Sequence, residues 1–74
     1  MELREVFARN VREARRKKGL SQEELADAAG INRTYLSDIE TSRNNASIKV
    51  IERLASALQV EPGTLLLDKN SEFS

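Results

Sequence analysis

Only three residues, Gly30, Ile31 and Asn32, separate two helix-forming stretches of this chain, and two of them are helix punctuation. Glycine accepts the left-handed backbone that ends a helix, and asparagine accepts hydrogen bonds from the first free N–H groups of the next one. Upstream, Ser21 and Glu24 stand three apart, the spacing of a capping box, so the first of the two helices has a marked start as well. Two short helices joined this tightly must cross at an angle and bury a shared underside. Leu25, Ala26, Ala29, Ile31, Leu36 and Ile39 supply that underside, with Ala26 small where the crossing is closest.

The remaining chain surrounds this pair with further helices. Leu3, Val6, Phe7, Val11 and Ala14 form one stripe, predicting a first helix over about residues 3–18 that stops at Gly19. Its basic end, Arg15, Arg16, Lys17 and Lys18, suits the negative pole of a helix dipole. Ser47 caps a fourth helix striped by Ile48, Ile51, Leu54, Ala55 and Leu58, and Pro62 fits the first turn of a short fifth. The expectation is an all-α single domain of five helices with its core over about residues 3–67. The tail, residues 68–74, has little to bury.

Composition narrows the functions open to such a chain. Of 74 residues none is cysteine or histidine, which removes disulfides, thiolate and imidazole metal sites and Cys/His or Ser/His nucleophiles. No run has the spacing of a carboxylate metal or acid/base site, so no catalytic residue, metal or cofactor is expected. No stretch reaches the apolar length of a membrane span and the N-terminus lacks a signal-peptide core, which leads to a cytoplasmic expectation.

Net charge is zero, but the charges are unevenly distributed. Residues 1–19 hold seven basic and three acidic side chains, 20–40 hold one and five, and 41–53 hold three and one. Attraction to phosphate must therefore come from local patches. The segment "GINRTYLSDIE" condenses the problem, because it starts with Arg33, Thr34 and Tyr35 and ends with Asp38 and Glu40.

A pair of helices with a short glycine turn is the helix-turn-helix arrangement. The run "GLSQEELADAAGINRTYLSDIE" resembles the lambda-repressor-like helix-turn-helix domains of the XRE family, and the likeness extends over about residues 6–67. The run "NRTYLSDIETSRNNASIKVIERLASALQVEPGTLL" is similar, more particularly, to the controller proteins of restriction-modification systems. These are stand-alone dimeric regulators with five helices, and the expectation here is that no room is left after the fifth helix for an effector-binding or catalytic domain. In this class the leading residues of the recognition helix meet base edges in the DNA major groove. The resemblance thereby assigns base contact to Asn32, Arg33, Thr34, Tyr35 and Ser37, with Arg33 suited to a bidentate guanine contact. It assigns phosphate contact to Ser21 and Gln22 and to Arg43, Asn44 and Asn45 in the following loop. Glu40, in the family pattern, pairs with an arginine of the first helix, here Arg15, and so turns inward. Two departures stand out: Ser42 where the family often has glycine, and Ala46 where it often has proline.

Leu65, Leu66 and Leu67 are consecutive and cannot all face one core at about 100° per residue. With Val50 and Ala57 near the same end, they suggest a two-fold dimer that would present two recognition helices to double-stranded DNA. The expected function is an operator-binding regulator, with RNA polymerase as a further partner. Alternatives are a prophage-type repressor, an antitoxin with an additional toxin-binding face, and a non-DNA interaction module.

Overall fold

The computed structural model describes residues 2–68. Met1 and residues 69–74, most of the predicted tail, lie outside the described residues. Five helices follow one another: α1 (Leu3–Lys17), α2 (Gln22–Ala29), α3 (Arg33–Glu40), α4 (Ile48–Leu58) and α5 (Pro62–Leu65). Their boundaries follow the caps. Ser21 and Glu24 form the reciprocal capping box of α2, Asn32 accepts from the N–H groups of Thr34 and Tyr35, and Ser47 accepts from Val50 N–H.

Each of the first four helices ends in the same way: the chain turns left-handed and N–H groups bond back to carbonyls of the last turn. Gly30 takes this conformation at the α2–α3 turn, where Ile31 N–H reaches Ala26 O at 3.0 Å. After α3 the same task falls to Ser42, at φ 62°, with Arg43 N–H bonded to Asp38 O at 2.8 Å. Serine has a side chain that disfavours this conformation, yet the backbone still adopts the left-handed turn.

Helix α2 packs on α3 and α4, while α1 crosses α3, α4 and α5. Phe7 and Val11 of α1, Leu25, Ala26 and Ala29 of α2, Leu36 and Ile39 of α3, Leu54, Ala55 and Leu58 of α4, and Leu65 of α5 make one core. Leu3 and Ile48, expected inside, are instead 57% and 77% exposed. Each is the first residue of its helix, so its side chain lies beyond the region that the neighbouring helices cover. Ala8 and Asn10 are buried without having been anticipated.

One polar cluster crosses this core. Glu40, only 1% exposed, accepts from Arg15 Nε at 2.8 Å and Nη2 at 3.1 Å, and from Gln22 Nε2 at 3.1 Å. Arg15 also donates to Leu20 O at 2.9 Å, and Arg12 donates to the backbone carbonyl of Glu40. The predicted Arg15–Glu40 pair is therefore bidentate, and it joins α1, the turn after it, α2 and the end of α3. Arg15→Ala should destabilise the domain by about 3–5 kcal/mol in urea unfolding, because it strands a buried carboxylate. Ser21→Ala, which removes one cap, should cost only about 1 kcal/mol in the same measurement. Ser42→Gly should raise stability by up to about 1 kcal/mol by relieving the left-handed strain.

Candidate nucleic-acid interface

The leading end of α3 is the most open part of the helix pair. Arg33 and Thr34 are exposed, Tyr35 and Ser37 are half-buried, and Leu36 and Ile39 are buried behind them at 0% and 1%. The alternation follows from helical periodicity, which puts the two apolar residues on the face that meets α1 and α2. Asn32 is exposed, but its side-chain oxygen is used by the cap, accepting from Thr34 N–H at 2.7 Å and Tyr35 N–H at 3.3 Å. Only its amide nitrogen is left for an outside acceptor. Tyr35 leans its ring on the core and donates its hydroxyl to Asn45 O at 3.3 Å, which ties the helix to the loop that follows it.

The two expected phosphate-contacting groups lie on either side of this helix in sequence. Ser21 Oγ accepts from Glu24 N–H at 3.0 Å, and Ser21 N–H donates to Glu24 Oε1 at 2.8 Å, so the serine serves its cap. Gln22 is half-buried and donates one amide N–H to Glu40, which leaves the second N–H of the same amide for an outside acceptor. In the 41–47 loop, Arg43, Asn44 and Asn45 are all exposed. Asn44 Oδ1 accepts from Asn45 N–H at 2.9 Å, and Asn45 Oδ1 accepts from Arg4 Nη1 at 3.5 Å. Arg43 is thus the loop's exposed cation, while Asn45 is occupied in shaping the loop.

Arg12 and Arg4 were not singled out by sequence reasoning. Both lie on α1 among other basic residues, and nothing in their spacing distinguishes an arginine that reaches a distant carbonyl from one in solvent. Asp38 is half-buried; its carbonyl accepts from Arg43 N–H and from Thr41 Oγ1 at 3.3 Å, closing the end of the helix. Among the described residues no group of three or more acidic side chains is arranged to hold a metal ion, and no helix is long and apolar enough to cross a membrane.

At the positions sequence analysis assigned to dimer contact, the five side chains differ in exposure. Leu67 is 61% exposed, Val50, Ala57 and Leu66 are half-buried, and Leu65 is 1% exposed within its own protomer. Leu65 is therefore a core residue with almost no surface to offer another chain.

This arrangement recurs in known proteins. The helix-turn-helix family HTH_3 matches residues 11–65. A hypothetical transcription factor of Neisseria meningitidis serogroup B is 48% identical over 66 residues, covering 89% of this chain, and this chain spans 62% of that protein's length. The control protein C.BamHI of Bacillus amyloliquefaciens is 43% identical, over 86% of this chain and 80% of its own. Among solved structures, a hypothetical transcription factor from Neisseria superposes with a TM-score of 0.87 at 48% identity, over 89% of this chain and 76% of that one. The restriction-modification controller protein C.AhdI of Aeromonas hydrophila gives 0.82 at 42% identity, over 84% and 94%. The chain belongs to the XRE-type helix-turn-helix family of DNA-binding transcription regulators.

Proposed function

We propose that the chain is a sequence-specific regulator that binds a pseudo-palindromic operator as a homodimer, in the manner of a restriction-modification controller. The observation that carries this reading is the division of α3 into an exposed leading end and an anchored far end. Arg33 and Thr34 are free to meet base edges, while Leu36, Ile39 and Glu40 hold the helix from behind. Likeness to controller proteins at 42–43% identity supports the more specific assignment.

In the proposed complex Arg33 makes a bidentate contact to guanine, and Thr34, Tyr35, Ser37 and the Asn32 amide contact neighbouring bases. Arg43, Asn44, Asn45 and the α2 start at Ser21 and Gln22 hold the phosphate backbone, with Arg43 providing the charge. Leu66 and Leu67, with Val50 and Ala57 beside them, form the two-fold contact, and Leu65 supports it from inside. Two recognition helices then meet half-sites about 34–36 Å apart, or a multiple of that. The position of the operator relative to a promoter decides between blocking and recruiting RNA polymerase. The protein works in the cytoplasm and catalyses no reaction.

Arg33→Ala should lose about 1–3 kcal/mol of discrimination at one base pair per half-site, read by binding selection against a randomised operator library. Unchanged sequence preference would exclude Arg33 as a base reader. Arg43→Ala should instead weaken all sequences alike and reduce the slope of log affinity against log salt by about one phosphate's worth per protomer. Leu67→Lys should shift the protein toward monomer in sedimentation equilibrium while leaving its helical content intact.

A further inference from the structure

Asn10 is the uncharged polar side chain buried among the described residues, 2% exposed, in a stretch of α1 that otherwise buries Val6, Phe7, Ala8 and Val11. Its amide nitrogen donates to Leu65 O at 2.9 Å and to Leu67 O at 2.8 Å. These carbonyls belong to the last residue of α5 and to the second residue beyond it. Helix α5 is only four residues long, too short to persist without tertiary support. A second link stands beside the first: Arg9 Nη2 meets Asp68 Oδ1 at 2.9 Å. Consecutive residues of α1 thus hold the segment from Leu65 to Asp68, Asn10 through backbone carbonyls and Arg9 through the Asp68 carboxylate.

We infer that Asn10 is a positioning residue for the dimer surface: by bonding the carbonyls of Leu65 and Leu67 it fixes the direction in which Leu66 and Leu67 project. The chemistry of the site favours this over simple filling of space. Asn10 Oδ1 is buried and accepts from no described residue. An apolar residue would carry no polar atom into the core but would take the Asn10 donor away from both backbone carbonyls. The amide's two N–H bonds are what this position supplies. Helix α1 therefore serves both halves of the proposed function: Arg12 and Arg15 hold the recognition helix, and Arg9 and Asn10 hold the segment meant to face the partner copy. The inference rests on the homodimer proposed above.

The test compares wild type with Asn10→Asp, which keeps shape but presents oxygen to both carbonyls, and with Asn10→Ala, which removes the donor without adding charge. Sedimentation equilibrium of the full chain should show the dimer dissociation constant raised about tenfold or more in either variant, from two lost hydrogen bonds. Far-UV circular dichroism should show retained helices at the same temperature, and affinity for a single half-site should stay within twofold of wild type. Joining two Asn10→Ala copies by a flexible linker should restore full-operator affinity, since tethering replaces the weakened association. A wild type that remains monomeric at every concentration would overturn the dimer itself. A wild-type dimer matched by equally tight variants would overturn the role of Asn10 alone, as would a tethered variant that fails to recover operator binding.

Discussion

The carboxylate of Glu40 is the constraint on which the rest of the structure depends. A charge so thoroughly removed from water is tolerable only with several well-aligned donors, and three side-chain N–H groups meet it, two from Arg15 and one from Gln22. Those donors come from different helices, so satisfying one carboxylate fixes α1, α2 and α3 relative to one another. Arg12 adds a bond to the carbonyl of the same residue, and Arg15 a bond to the turn before α2. Apolar burial alone would let short helices slide over one another at small cost. A directional network of this kind does not.

The same interaction explains how a protein of zero net charge can offer a binding surface to a polyanion. Acidic side chains are not spread evenly against the basic ones. Glu40 is consumed inside, Glu24 closes a capping box and Asp68 meets Arg9, while Arg33 and Arg43 remain exposed around the leading end of α3. Net charge is therefore a poor guide to local potential in a domain of this size. Gln22 stands at the junction of the two roles, since it opens α2 beside the proposed phosphate contact and also steadies the anchor of α3.

Much of the architecture was legible because it is written in local signals. Ser21 with Glu24, Asn32 and Ser47 mark helix starts by chemistry that acts within three residues, and the helices begin where those residues place them. Leu3 and Ile48 misled because periodicity reports a face but not how far along the helix its neighbours extend. Asn10, Arg12 and the Gln22–Glu40 bond were beyond reach for a different reason: their partners lie 18 or more residues away, and nothing local distinguishes them. For Asn10 a faint signal existed, a polar residue between Phe7 and Val11 on an apolar stripe. Arg15–Glu40 was anticipated only through family resemblance. At Ser42 the turn was legible but its strain was not, since the backbone conformation follows from the ending of α3 and not from the residue that occupies it.

The central claim is that an anchored α3 presents its leading end to DNA. The most direct measurement is a titration of the isotopically labelled protein with a selected operator duplex, followed by backbone amide chemical shifts. The account predicts the largest changes at residues 32–37, accompanied by changes at 21–22 and 43–45, with Ile39 and Glu40 nearly still. Largest changes along the exposed acidic face of α2, at Glu23 and Asp27, with residues 32–37 unmoved, would contradict it.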